Sequence, residues 1–534
     1  MASMKSLAKD TAIYGLSSIV GRFLNYLLVP LYTHVIAAQS GGYGVVTNLY
    51  AYVALILVLL TFGMETTFFR FANKEGENPH AVFSTSMAVV CTLSAVFLAV
   101  IFLGIEPIAD ALHYSDHKEY IEMMAVVVAL DAVQAIPFSY LRYKKKAVKF
   151  ASLKLLFIIM NIGLNLLYFV FLGKTDVFYV FFLNLVCTGF ITFFFIPELI
   201  EEYKTPSRSN WLACQSKFRS APEHLLERKN SPQGGEYNSS PSLQAKPTSW
   251  SGRRSGRGFD FQLLRRMLGY SWPILVLGIA GILNQTADKM IFPIVYPDKT
   301  QGVVELGIYG ACAKIAMIMA MITQAFRYAY EPIVFAKSKD ADKTEYYAQA
   351  MKYFIIFTLF AFLCVMGYMP LLQYILGAEY REGLKVVPIV MTAEIMMGVY
   401  FNLSFWYKLI DKTIWGAWFS LAGCAVLVGV NVLFIPEYSY MACAWGGVAG
   451  YGTAMTLSYL VGQKKYPINY DLKGISTYVV VTLCFYYAMD LATRIPQMWL
   501  QLLCNTVLIL AYLVLVVKND VPLSSLPVIG KKFR

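Results

Sequence analysis

Eight charged side chains stand inside, or at the edges of, stretches otherwise built from apolar residues: Arg22, Glu65, Asp131, Asp288, Lys289, Lys314, Glu331 and Glu394. A charge at the centre of a bilayer costs about 2.5–3.5 kcal/mol on insertion scales, which makes each of them a functional candidate. Arg22, Lys289 and Lys314 are suited to holding an anion, Arg through a bidentate fork and Lys as a point charge. Asp131 and Glu394 lie mid-span and could carry a coupling proton across an apolar layer; a hydrogen bond to a neighbouring helix is the simpler reading. Glu65 and Glu331 sit near the ends of their stretches. They read as a matched pair of gate residues bonded to basic loops such as Arg70 or Lys337, or more plainly as interfacial helix-end charges.

Helical spacing groups some of these residues. Ser18, Arg22 and Asn25 make one polar stripe, and Asn284 and Asp288 make another. A gapless shift of 266 residues carries Arg22 onto Asp288, so opposite charges occupy equivalent places. If a pseudo-twofold axis passes between the two helices, Arg22, Asn25, Asp288, Lys289 and Lys314 line a central cavity, with Arg22 and Asp288 as partners across it. The alternative is that each charge is satisfied within its own bundle. Lys289, one residue on, lies about 100° further round the helix, so Asp288 and Lys289 cannot both point squarely inward.

The same shift lays Gly15 to Leu167 on Gly281 to Leu433, and its polar coincidences are the telling ones. Tyr43-Gly44 falls on Tyr309-Gly310, Glu65 on Glu331, Lys146 on Lys412, Asn165 on Asn431, and Arg142 on Lys408. A parallel repeat implies two bundles related by an axis along the membrane normal, the plan of transporters that rock one half against the other. Composition agrees. The chain is 57% apolar and 15% charged, with a mean hydropathy of +0.54, and a soluble domain would carry about a quarter charged residues. Fourteen apolar spans of about 20 residues fit a hydrocarbon core about 30 Å thick. The expected fold is therefore all-α: a polytopic membrane protein with two six-helix lobes and two further C-terminal helices.

The expected organisation is an N-lobe over 1–200, a linker over 201–262, a C-lobe over 263–465, and a last helix pair with its tail over 466–534. The linker is rich in Ser, Pro, Gly and Arg and reads as a disordered basic cytoplasmic connector. Lys and Arg crowd the N-terminus, the loops after even-numbered spans and the C-terminal tail, which puts both termini in the cytoplasm. The net charge of +12 is mostly this topology signal, with attraction to anionic membrane lipids, and does not argue for nucleic acid. The nine cysteines show no CxxC spacing and the five histidines no cluster with carboxylates, so neither disulfides nor a metal is expected. No nucleotide fingerprint, catalytic triad or large outer loop points to an enzyme.

The passage SIVGRFLNYLLVPLYTHVIAAQSGGYGVVTNLY, with LTFGMETTFFRFANK after it, resembles the opening of the bacterial Wzx-type polysaccharide flippases. These are relatives of the multidrug and toxin extrusion transporters and of lipid II flippases, in the multidrug/oligosaccharidyl-lipid/polysaccharide exporter superfamily. YSWPILVLGIAGILNQTADKMI and LGIYGACAKIA resemble the start of the second half. The resemblance implies a V of two lobes, alternating access, an inner-membrane location and an undecaprenyl-pyrophosphate-linked oligosaccharide as cargo. Arg22 matches the family's cationic cavity residue, with Lys289 and Lys314 as further matches. It implies no cofactor; protons, sodium or the membrane potential are the available drives, and a polysaccharide polymerase and glycosyltransferases the protein partners. A drug or organic cation antiporter and a lipid II flippase are the alternatives. The antiporter would want a net acidic or aromatic cavity, and three mid-membrane cations argue against it.

Overall fold

In the computed structural model, the described residues are 28–74, 76–198, 200, 261–336, 343–410 and 412–520. Arg22, Asn25, Lys337 and the 201–260 part of the linker fall outside them. The described residues form helices and contain no strand. The first lobe contains α1 (Leu28–Val35), α2 (Gly42–Thr61), α3 (Met64–Ala72), α4 (Pro79–Leu103), α5 (Lys118–Tyr143), α6 (Ala147–Leu166) and α7 (Phe178–Phe193). The second contains α8 (Phe261–Val295), α9 (Lys299–Ala336), α10 (Lys343–Gly367), α11 (Val387–Leu403), α12 (Ile414–Tyr438) and α13 (Tyr440–Lys465). A last pair, α14 (Leu472–Ala492) and α15 (Met498–Asn519), follows.

Among the described residues, twelve helices are long and apolar enough to cross a membrane. Two of the fourteen expected spans are not among them, for different reasons. Most of the first lies outside the described residues. The other, α13, is helical over 26 residues, long enough to span at about 1.5 Å per residue, but its glycines, with its Trp, Tyr, Ser and Thr residues, lower its hydropathy. The glycines serve packing: a Cβ on Gly450 would fall 2.9 Å from the Gly423 carbonyl oxygen, and one on Gly423 would fall 2.7 Å from the Gly450 carbonyl oxygen. Helix backbones in lipid associate through such close approach. The outside of the bundle is correspondingly apolar, with Leu103, Phe171, Leu433 and Trp418 among its most exposed residues.

The lobes meet along a seam built from the repeat. At the end carrying Tyr43 and Tyr309, α2 packs on α9. A Cβ on Gly44 would sit 1.8 Å from the Val303 carbonyl oxygen, and one on its repeat counterpart Gly310 would sit 2.5 Å from Thr47 Oγ1. The coincidence Gly44/Gly310 therefore marks the contact between the lobes. The same end is tied by the Tyr380 hydroxyl donating to Ile36 O (2.9 Å) and by Ala38 N donating to Glu379 Oε2 (2.7 Å). Towards the opposite end, α8 runs beside α2 and α3, with Thr67 and Ser271 hydroxyls 2.6 Å apart, the Arg70 guanidinium 4.2 Å over the Tyr270 ring, and Arg266 paired with Glu77.

One lobe breaks where its copy does not. Phe62 and Gly63 both take left-handed backbone (φ 49° and 67°), separating α2 from α3, whereas α9 runs unbroken for 38 residues. Glycine is required at the second position on two counts: its φ, and the Ile274 side chain of α8, which lies 3.0 Å from where a Cβ would stand.

Candidate functional site

Two groups of the candidate charges are brought together, one within the second lobe and one at the far ends of both lobes. In the second lobe, Asp288 on α8 is 6% exposed and its carboxylate accepts from two neighbours. The Tyr309 hydroxyl donates to Oδ2 at 2.7 Å, and Lys289 Nζ donates to both oxygens at 3.0 Å. Lys289 Nζ also donates to Gln285 O at 3.2 Å and lies 5.5 Å from the Tyr309 ring centre. The 100° between Asp288 and Lys289 does not separate their heads, because the four-carbon lysine stem bends back across one residue. Asp288 thus has partners within its own lobe; Arg22, expected as its partner across the cavity, lies outside the described residues along with Asn25.

Glu394 on α11 and Lys314 on α9 complete this group. Glu394 feels both Lys289 and Asp288 electrostatically, and its Oε2 is shut off from solvent with no hydrogen-bond partner. Lys314 feels the charge of Lys289. One turn from Asp288, Asn284 donates to Ala280 O and Ser420 O, both at 2.9 Å, while its Oδ1 is unpartnered. The Tyr451 hydroxyl donates to Asn284 O at 3.1 Å. Two acids, two cations and two tyrosines thus converge from four helices of one lobe. Such a set can exchange partners: an incoming anion competes with Asp288 for Lys289, and an incoming cation competes with Lys289 for the acids.

Asp131 stands apart, in the first lobe, within the electrostatic reach of Lys154, whose ammonium lies 4.0 Å from the Phe138 ring centre.

Glu65 and Glu331 form repeat-related ion pairs. Arg142 Nη2 donates to Glu65 Oε2 at 3.2 Å, and Lys408 Nζ donates to Glu331 Oε1 at 3.1 Å. Both pairs span 77 residues and tie α3 to the end of α5 and α9 to the segment after α11. Their partner is not the nearby Arg70, which covers Tyr270 of the other lobe, and Lys337 is not described. The signal is present in the sequence, since both members of each pair shift by the same 266 residues. Arg142 reads there as part of a basic run, which hides it.

The arrangement can be set beside known proteins. The solved structure of "Lipid II flippase MurJ, inward closed conformation" superposes with a TM-score of 0.64 at 12% identity, covering 94% of this chain and 98% of that one. An inward-facing multidrug resistance MATE family transporter of the MOP superfamily superposes at 0.57 and 12% identity, covering 85% of this chain and 94% of that one. The MATE multidrug transporter DinF-BH superposes at 0.55 and 14% identity, covering 88% and 97%.

The chain shares the fold of these solved transporters. Residues 248–385, from the end of the linker through α8 to the approach to α11, also match the family described as "Polysaccharide biosynthesis protein". No curated protein matches the chain by sequence. The family match over that segment and the shared fold bear out the resemblance to Wzx-type flippases. The segment matched includes Asp288, Lys289, Lys314 and Glu331, so the converging charges lie largely in the part of the chain that the family shares.

Proposed function

We propose that this protein is a flippase that moves undecaprenyl-pyrophosphate-linked oligosaccharide repeat units across the bacterial inner membrane by alternating access, for surface polysaccharide synthesis. The observation that carries the reading is the family match over the very segment that supplies Asp288, Lys289 and Lys314. The cargo's physical problem fits such a protein. Each sugar hydroxyl costs several kcal/mol to strand in hydrocarbon, so a polar passage between lobes removes a prohibitive barrier. Pyrophosphate asks for cations, which Arg22, Lys289 and Lys314 supply, and the polyprenyl tail asks only for apolar helix surface. The basic residues at the termini and at the Glu65 and Glu331 end support a cytoplasmic location for that end. The glycine seam would then close the outer side.

An inside-negative potential favours outward movement of an anion by about 2.3 kcal/mol per charge per 100 mV, so the potential can drive transport with or without proton or sodium coupling. Lipid-linked oligosaccharide and membrane lipid are the partners this requires; a polymerase and glycosyltransferases would act on either side of it. The superposition on a lipid II flippase favours a second reading with the same lipid pyrophosphate and a different sugar. In a deletion strain, lipid-linked repeat units should accumulate on the cytoplasmic face, with cell-wall precursor unaffected. Accumulated lipid II would instead favour the second reading, and loss of dye efflux without either would favour a drug antiporter.

A further inference from the structure

Between α10 and α11 the second lobe sends a short segment across the seam onto the first. It is tightly wound: Ala378–Val386 is a 3₁₀ helix of nine residues, and runs of that helix beyond three or four residues are uncommon because its hydrogen bonds align poorly. Its root lies in its own lobe. Arg381 Nε donates to Gln373 O at 3.1 Å and to Leu376 O at 3.2 Å, the Cys312 thiol donates to Tyr380 O at 3.2 Å, and a Cβ on Gly383 would stand 2.6 Å from Ile308 Cγ2. Its leading residues, 377–380, lie on the other lobe. Gly377 N donates to Thr33 Oγ1 at 3.3 Å, Glu379 Oε2 accepts from Ala38 N at 2.7 Å, and the buried Tyr380 donates to Ile36 O at 2.9 Å with its ring edge-on to Tyr43 at 5.9 Å. Ile36 and Ala38 belong to the turn that follows α1, so the segment supplies partners to main-chain groups that helical pairing has left behind.

The copy in the first lobe keeps the tyrosine and turns it inward. Shifting back by 266 residues turns Gly377, Glu379 and Tyr380 into Ala111, His113 and Tyr114. Tyr114 is buried, and its hydroxyl donates to Asn48 Oδ1 within its own lobe at 2.9 Å. The crossing depends on the two residues that differ. A Cβ on Gly377, which Ala111 has in the copy, would stand 1.9 Å from Thr33 O, and His113 replaces the carboxylate that holds Ala38. One lobe therefore reaches over the seam at this point from one side only. Hydrogen bonds to main-chain groups can be exchanged for bonds to water without leaving a cavity, which suits a contact that is broken and remade.

We propose that residues 377–380 are the latch of the gate at this end. Glu379 and Tyr380 hold the first lobe while the passage is open to the opposite side, and release Ala38 and Ile36 each time the lobes part here. This rests on alternating access, which makes this end the outer one. Glu379 is the stronger hold, because a carboxylate accepting from an N–H makes a hydrogen bond roughly twice as strong as a neutral one. Arg381 and Gly383 keep the segment fixed to the second lobe as the lobes swing, so release and recapture need no refolding of it.

The test uses the full chain in nanodiscs, its native cysteines replaced, with spin labels on cysteines introduced at the exposed positions Gln39 and Glu382, one on each lobe beside the latch. A second pair, at the exposed Asn73 and Lys412, reports on the opposite end. Distances are read by double electron–electron resonance. Glu379→Ala raises the ratio of separated to closed molecules at the first pair at least about tenfold, the change expected for loss of a charged hydrogen bond, and Tyr380→Phe raises it less. In both, the labels at Asn73 and Lys412 draw together as the outer side opens. A merely weakened fold would broaden both pairs instead, and that result overturns the proposal. Should Glu379→Ala not fold, Glu379→Gln and Tyr380→Phe carry the comparison. If the parent chain shows both states and the variants leave their ratio unchanged, the latch is wrong and alternating access stands. If the first pair never separates in any variant while transport continues, both fall.

Discussion

The two lobes share a scaffold and differ in what fills its middle. Where the second lobe places Asp288, Lys289, Lys314 and Glu394, the first has Arg22, Phe23, Asn48 and Val128. Val128 is fully buried. Asn48 turns across the seam, donating to Lys289 O at 2.8 Å and accepting from the Tyr114 hydroxyl at 2.9 Å. One copy has kept the helices and surrendered most of the charge, while the other has concentrated it. The repeat thus separates two kinds of residue. Those that match across it, such as Gly44/Gly310 and the Glu65/Glu331 pairs, hold the architecture, and those that differ are where one lobe does something the other does not.

The largest test of that division is a matched pair of neutralisations. Asp288→Asn keeps an acceptor for Tyr309 but removes the ion-pair partner of Lys289, and transport of the lipid-linked substrate should fall about a hundredfold, as for loss of a buried charged hydrogen bond. Asp131→Asn, in the first lobe, should cost a few-fold at most. Equal losses in a complementation or vesicle-flipping assay would show that both lobes carry the chemistry.

The seam makes the next prediction, of stability. Gly44→Ala drives a methyl into the Val303 carbonyl, a backbone atom that cannot turn aside, whereas Gly310→Ala meets the Thr47 side chain, which can rotate. Overpacking costs about 1–3 kcal/mol, and Gly44→Ala should take the larger share. Thermal unfolding in detergent reads the difference; similar melting points for both would mean that the seam gives way as a whole.

The scaffold is far more legible in the sequence than the chemistry. The spans and the repeat can be read because hydropathy and offset are properties of the chain alone. Sequence matches Glu65 to Arg70, five residues on, because nearness is the guide it offers; the fold instead brings Arg142 to it from the end of α5. Helical angle sets Asp288 and Lys289 apart, and only the reach of a long side chain joins them.

The matched ion pairs should behave alike if they are architecture. Their side chains are partly exposed, 36% and 43% for Arg142 and Glu65 and 30% and 35% for Lys408 and Glu331. Each is therefore expected to contribute no more than about 1 kcal/mol by double-mutant cycle. The exchange Glu65→Arg with Arg142→Glu should recover most of what either single change loses. A much larger coupling at one pair than at its copy would move that pair from architecture to function.

The smallest effect concerns the helix pair that only the second lobe carries. Lys352 on α10 reaches Asp471 at 2.8 Å and also pairs with Asp520, clasping both ends of the α14–α15 hairpin, while the Tyr512 hydroxyl donates to Ile356 O at 3.1 Å. The first lobe has Ser86 at the position equivalent to Lys352, its hydroxyl donating back to Val82 O, so it has nothing with which to hold such a pair. Hydrogen bonding from Lys352, then from the Gly474 amide, holds the Asp471 carboxyl below the usual carboxylate range. A lowered acid stabilises the folded form above its unfolded value, near about pH 3.9, and loses that contribution as pH falls towards the folded value. Hydrogen exchange in α14 and α15, expressed as an opening equilibrium corrected for the intrinsic pH dependence of amide exchange, should therefore be flat from neutral pH down to about pH 4 and rise below it. Asp471→Asn should remove its share of that rise. If the variant keeps the whole rise, Asp471 is not the titrating member of the clasp.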